Sequence, residues 1–252
     1  MPLYGLIGYP LSHSLSQAYF REKFRKENIT GSDYEVFPIK SISELPALLQ
    51  QHPTLAGLNV TIPYKESVLP FAHERDAVVE ACGAANCLKI NNGKISAFNT
   101  DAIGFETSLK PLLLPEHSRA LILGTGGAAK AVGWVLQQLG IQYLFVTRQS
   151  EKITEQTILY ASLSEEILSE YFLIINASPA GMSPNENTFP EIKYSCITPR
   201  HLLYDLVYNP EKTVFLQKGE ERGAAIKNGY EMLLLQAEAG WMIWNDEKPG
   251  LK

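Results

Sequence analysis

The stretch Leu121 to Ala131, LILGTGGAAKA, constrains the chain more than any other. The apolar run Arg119 to Leu123 reads as a buried strand, and Gly124-Thr125-Gly126-Gly127-Ala128-Ala129 turns it directly into a helix from Ala128 to Leu139. Strand, glycine-rich turn and helix in that order form a dinucleotide-binding signature. Gly124 permits the tight turn, Gly126 lets the backbone approach a pyrophosphate, and Ala129 stands where glycine or alanine allows close helix–strand packing. The phosphates would sit on the N–H groups of the first helical turn. A turn that serves only the packing of an α/β domain is the plainer alternative. The strand before it and the small residues Ala131 and Gly133 after it favour a nucleotide.

The next strand, Tyr143 to Val146, bears on which nucleotide. An NAD site places an acid about twenty residues past the glycines, where it binds the ribose 2′-hydroxyl. Here the strand runs into Thr147-Arg148-Gln149-Ser150, where no acid stands, and Lys152 follows just after Glu151. Arg148 offers a planar fork for a 2′-phosphate and a face to stack on adenine, and Lys152 offers a point charge. The reading is NADP, with ordinary surface charges as the alternative, chiefly for Lys152.

At 252 residues, 45% hydrophobic and 19% charged, the chain is long enough for two modest cores. A net charge of −5 without basic runs argues against a nucleic-acid partner. Cys82, Cys87 and Cys196 lack the paired close spacing of a zinc site, so no metal is expected and reduced cytoplasmic thiols are the simplest account. No uncharged apolar stretch reaches membrane-spanning length, which points to a soluble protein. No motif marks an interface, so monomer and homodimer are not distinguished.

Ahead of the glycine turn, Leu3 to Gly8 reads as a strand, and a helix follows from Leu15 to Glu27. Between them Ser12, His13 and Ser14 crowd one turn. The serines suit helix capping, or a carboxylate ligand that they meet without a competing charge, while His13 suits a backbone bond. Tyr34 to Ile39 is a second strand, Ser43 to Gln50 a helix opened by a Ser43 cap, and Gly57 to Ile62 a third strand. Alternating strands and helices point to a mainly parallel sheet with ligands at the strands' carboxyl ends, where Asn59, Thr61 and Lys65 fall. A helix over Asp76 to Cys82 precedes a hairpin of Ala85 to Ile90 with Lys94 to Phe98, turning at Asn91-Asn92-Gly93. Gly83 to Asn86 leads in. Asn99-Thr100-Asp101 leads out to a helix over Ala102 to Leu109, for which Asp101 is a possible N-cap as well as a catalytic candidate.

Beyond the nucleotide unit, strands over Leu173 to Asn176 and Leu202 to Leu206 end in Asn176 to Gly181 and Asp205 to Tyr208, polar and aromatic groups on the nucleotide side. Turn chemistry alone would also explain them. A helix is expected over Glu211 to Arg222. Gly229 then opens a long terminal helix carrying Gln236, whose amide needs partners among apolar neighbours.

In this order the segments SHSLSQ, NVTIPYK, GAAN, NTDAIG, GTGGAAKA, the Arg148 loop, NASPAG, DLVYNP and GYEMLLLQ closely resemble the shikimate dehydrogenase family over essentially the whole chain. The resemblance implies that Ser12 and Ser14, with Thr61 nearby, hold a substrate carboxylate, and that Lys65 and Asp101 are the catalytic pair. Asn59, Asn86 and Gln236 would bind ring hydroxyls. Gly124, Gly126, Gly127 and Ala128 would form the pyrophosphate loop, with Arg148 and Lys152 at the 2′-phosphate and Tyr208 and Gly229 near nicotinamide and substrate. Three positions depart from the family pattern: Thr147 and Gln149 flank Arg148 where the family commonly reads Asn-Arg-Thr, and Gln17 stands where a proline commonly does. Ser14 and the absence of an acid from Thr147 to Ser150 favour shikimate and NADP over quinate and NAD.

The implied reaction is NADPH-dependent reduction of 3-dehydroshikimate to shikimate, toward chorismate and the aromatic amino acids. The alternatives are a relative acting on quinate or another cyclic hydroxy acid, and a non-catalytic nucleotide-sensing protein of the same fold. The implied architecture is an α/β substrate domain with a mainly parallel sheet over residues 1–101, a Rossmann-type NADP domain over 102–227, and a terminal helix, 228–252, returning to the first domain.

Overall fold

The computed structural model describes residues 1–11 and 15–249. The chain divides into two compact units, Met1–Thr100 with Ala237–Lys252, and Asp101–Gln236.

The first unit opens with β1 (Leu3–Ile7), α1 (Ser16–Lys26), β2 (Asp33–Phe37), α2 (Leu45–Gln51) and β3 (Leu55–Val60). It continues through β4 (Glu74–Arg75), α3 (Ala77–Cys82), β5 (Cys87–Asn91) and β6 (Lys94–Phe98). Its sheet runs β2-β1-β3-β5-β6-β4, parallel from β2 to β3 and antiparallel through the β5–β6 hairpin. Alternation along β1 explains why both faces are covered: Leu3 and Ile7 join the core with Leu45, Leu58 and Val60, while Tyr4 and Leu6 join Phe20, Tyr34 and Trp244. The hairpin turns as its sequence requires, with Asn92 at φ 50° and Gly93 at φ 78°.

The second unit holds α4 (Thr100–Leu109, from its second residue), β7 (Arg119–Leu123), α5 (Gly127–Gln138), β8 (Gln142–Thr147), β9 (Thr157–Leu159) and α6 (Glu165–Glu170). β10 (Leu173–Asn176), β11 (Leu202–Asp205), α7 (Val214–Glu220), β12 (Ala225–Lys227) and the start of α8 (Tyr230–Trp244) complete it. The sheet order is β12-β11-β10-β7-β8-β9, all parallel. Read from β9, this is the doubly wound order 3-2-1-4-5-6, whose switch point lies between β7 and β10. Strands covered on both faces need continuous apolar runs, and Ala120 to Leu123 and Leu173 to Ile175 are all fully buried.

Several boundaries differ from the sequence expectation. The α2 region is opened by Ser41, not Ser43, because Ser41 forms a capping box with Glu44. α4 begins at Thr100, which places Asp101 inside the first turn instead of at the N-cap. α7 starts only at Val214, because the Thr213 hydroxyl accepts from the Leu216 N–H at 3.4 Å and caps the helix there. β3 ends two residues early, so Thr61 and Lys65 stand in the turn beyond it.

Candidate functional site

In the second unit the loop after β7 shows two different uses of glycine. Gly124 lies at φ +126°, and a side chain there would also stand 3.0 Å from the Ala177 carbonyl oxygen after β10. Glycine is therefore required at the switch point by conformation and by close approach. A Cβ on Gly126 would instead meet nothing within 4 Å, so the backbone there is open, as an approaching pyrophosphate needs. Gly127 and Ala128 follow as the first residues of α5, and the fully buried Ala129 packs the helix onto the sheet.

A groove of about 780 Å³ opens beside this loop, lined by Gly124, Thr147, Arg148, Tyr160 and Ser178 among others. Arg148 is exposed, its guanidinium 5.7 Å from the centre of the Tyr160 ring. Burial pushes the Tyr160 phenol up to about 12 although the Arg148 charge pulls it down, so it remains a neutral donor at pH 7. Lys152 Nζ donates to Thr125 Oγ1 at 3.3 Å, which brings its ammonium to the glycine loop. The buried Thr147 Oγ1 accepts from the Gln149 N–H at 3.1 Å, so its oxygen serves the turn. The open backbone at Gly126, the cations of Arg148 and Lys152 and the lack of an acid at the end of β8 fit a dinucleotide carrying a 2′-phosphate.

Sequence reasoning missed Tyr160 and Glu191, which both line the groove. Tyr160 follows β9, a three-residue edge strand too short to show a period, and no local pattern distinguishes Glu191 from a surface acid.

The remaining residues of this unit have clear local reasons for their placement. Tyr208 is half-buried beyond β11, and burial raises its phenol. Gly229 is required by packing, since a Cβ would lie 2.2 Å from the Leu206 carbonyl oxygen, and its N–H donates to Val207 O at 3.1 Å. Gln236 is half-buried on α8, with Nε2 donating to Leu233 O at 2.9 Å.

In the first unit, backbone hydrogen bonds stitch three loops together. Thr61 N donates to Ile7 O at 3.0 Å, Ala85 N to Lys65 O at 2.8 Å and Val60 N to Asn86 O at 2.8 Å. Lys65 is thereby held half-buried in the turn after β3, beside the segment leading into β5. The Asn86 side chain, 3% exposed, accepts from Thr100 N at 2.6 Å and donates to Thr100 Oγ1 at 2.9 Å. This anchors the peptide immediately before Asp101, itself 7% exposed. Asn59 is 6% exposed, and its Oδ1 accepts from the Tyr34 hydroxyl at 2.7 Å. Its Nδ2 is buried with no hydrogen-bond partner among the described residues, a donor oriented but unused. Ser12 and Ser14, expected at the substrate carboxylate, lie outside the described residues.

Comparison with known proteins extends these observations along the chain. The family profile for the shikimate dehydrogenase substrate binding domain matches residues 6–88. The curated shikimate dehydrogenase (NADP(+)) of Caldicellulosiruptor bescii is 36% identical over 255 residues, 96% of this chain and 88% of the relative. The crystal structure of shikimate dehydrogenase 1 from Peptoclostridium difficile superimposes with a TM-score of 0.86 at 34% identity, covering 98% of this chain and 93% of that one. That of the Thermus thermophilus shikimate 5-dehydrogenase, in complex with NADP(H) and shikimate, gives 0.85 at 27% identity, covering 99% and 95%. The parallel order of one sheet, its glycine turn at the switch point and these full-length likenesses agree, and the chain belongs to the shikimate dehydrogenase family.

Proposed function

We propose that the protein catalyses the reversible NADP(H)-dependent interconversion of 3-dehydroshikimate and shikimate, a cytoplasmic step toward chorismate and the aromatic amino acids. The observation that carries this reading is family membership along the whole chain, both units included. Residues 102–227 take the cofactor, and residues 1–101 with 228–252 take the substrate.

Gly124, Gly126, Gly127 and Ala128 would hold the pyrophosphate, with Arg148, Lys152 and the Thr147 hydroxyl at the 2′-phosphate. Tyr208 and Gly229 border both the nicotinamide and the substrate. When bound, the dinucleotide supplies hydride to the C3 carbonyl in reduction and takes it back in oxidation. Ser12, Ser14 and Thr61 bind the substrate carboxylate through hydroxyl donors that bring no competing charge. Asn86 and Gln236 bind ring hydroxyls, as does Asn59, whose buried Nδ2 is already in want of an acceptor. Lys65 places an ammonium at the C3 oxygen, stabilising the growing alkoxide and holding the proton it needs. Asp101 accepts a hydrogen bond from a ring hydroxyl and so fixes the ring for reaction.

The test is NADP reduction by shikimate, followed by NADPH absorbance, beside quinate and beside NAD. Wild type should prefer shikimate with NADP, and Lys65→Ala should lose about 10²–10⁴-fold in kcat while still binding shikimate. A preference for quinate with NAD would overturn both substrate and cofactor.

A further inference from the structure

Three polar side chains of the second unit form a buried chain that ends at the wall of the nucleotide groove. Asp205, at the end of β11, is fully buried, as is Asn176 at the end of β10. One carboxylate oxygen of Asp205 accepts from Asn176 Nδ2 at 2.9 Å and from the Val207 N–H at 2.9 Å, and the other accepts from the Thr213 hydroxyl at 2.6 Å. Oδ1 thus takes two fixed N–H donors, which it accepts whether the acid is ionised or protonated, while Oδ2 meets a hydroxyl that can donate or accept. Asn176 spends the rest of its side chain on the loop that follows it. Its Oδ1 accepts from the Ser178 N–H at 3.1 Å and the Ser178 hydroxyl at 2.7 Å, and its Nδ2 also donates to Ala180 O at 3.1 Å. Ser178 and Ala180 line the groove, whereas Asp205 and Asn176 do not. The same loop meets Gly124, since the Ala177 carbonyl stands where a side chain on that glycine would be.

We infer that Asp205 is a positioning residue for the cofactor, setting the amide orientation of Asn176 and through it the Ser178–Ala180 wall of the nucleotide groove. The inference rests on the reading of that groove as the NADP site. Asp205 Oδ1 fixes which way the Asn176 amide faces, in the ionised and the protonated acid alike. With the amide reversed, Oδ1 would face the carboxylate and Nδ2 would face the Ser178 N–H, so both contacts would become repulsive. Val207 is drawn in by the same carboxylate, which ties the approach to Tyr208 to the opposite end of the network.

The experiment compares wild type, Asp205→Ala, Asn176→Ala and the double variant by fluorescence titration of NADPH, steady-state kinetics and urea unfolding. Each single variant should weaken NADPH binding and raise KM for NADP about tenfold, with kcat within about threefold and KM for shikimate unchanged. The double variant should bind NADPH no more weakly than Asp205→Ala alone, because the two residues act in series. Asn176→Ala keeps Asp205 bonded to Thr213 and Val207, so it carries the test if Asp205→Ala fails to fold. Variants that fold with lower stability yet bind NADPH as wild type does would overturn the inference and leave Asp205 a core group only. Equal rises in KM for both substrates would overturn it too. Wild type that does not bind NADPH would overturn the assignment of the groove itself, and the inference with it.

Discussion

Desolvation pushes the Asp205 carboxyl from the usual 3.8 up to about 7, outweighing the donors Thr213, Val207 and Asn176 that pull it down. The folded chain therefore holds a proton that the unfolded chain releases between about pH 4 and 7, and stability from this group is full below that window and lost as pH rises through it. The swing is on the order of 4 kcal/mol. Urea unfolding from pH 5 to 8 should show wild type losing its margin over Asp205→Asn as pH rises, and parallel profiles would refute this. At Arg148 the argument is simpler. Its charge-assisted contact is worth about 1.5–3 kcal/mol, so Arg148→Ala should raise KM for NADP by about 10- to 150-fold and leave KM for NAD, which has no 2′-phosphate, almost unchanged. The setting of Gly124, at φ +126°, and of the exposed Arg148 was legible in the sequence because conformation and charge are local properties. That of Asp205 was not, since its donors come from positions 176, 207 and 213.

Elements with a full apolar period were legible almost to the residue, β7, β10 and the β5–β6 hairpin among them. Those that escaped are short and lie at sheet edges or in connections: β4, β9, β12 and α6. Strands of two or three residues carry no period, and pairing to a neighbour is what defines them. How α8 ends is likewise a matter of packing. Trp244 stacks on Tyr4 with centroids 4.9 Å apart, donates from Nε1 to Leu88 O at 2.9 Å and covers Gly57 so closely that a Cβ there would lie 2.4 Å from the indole nitrogen. Trp244→Ala should cost about 3–5 kcal/mol of unfolding free energy. Gly57→Ala should cost about 1–3 kcal/mol by overpacking. Combined, they should cost less than their sum, because the cavity left by the indole accommodates the new methyl.

For the molecule as a whole, ligand linkage is the direct measure of the proposed cofactor. NADP at about one hundred times its dissociation constant should add about 2.7 kcal/mol to unfolding, an upward shift of roughly 5–10 °C in the transition of the nucleotide-binding unit. NAD at the same concentration should shift it far less, and equal shifts would remove the case for a 2′-phosphate site. Among the described residues no helix is long and apolar enough to cross a membrane.

The sequence by itself determined the glycine turn and its helix, the run of buried parallel strands, the absence of an acid at the end of β8 and the order of motifs that marks the family. Each depends on neighbours within a few residues, where backbone conformation and side-chain period act directly. Tertiary structure alone decided which polar groups meet. Tyr34 orients Asn59, Asn86 anchors Thr100 ahead of Asp101, Tyr160 lies beneath Arg148, and Asp205 gathers Asn176 and Thr213. Such pairings join residues from 8 to 29 positions apart. A buried donor takes whichever acceptor the packed elements bring to it, and that geometry is settled only when the sheets and helices close.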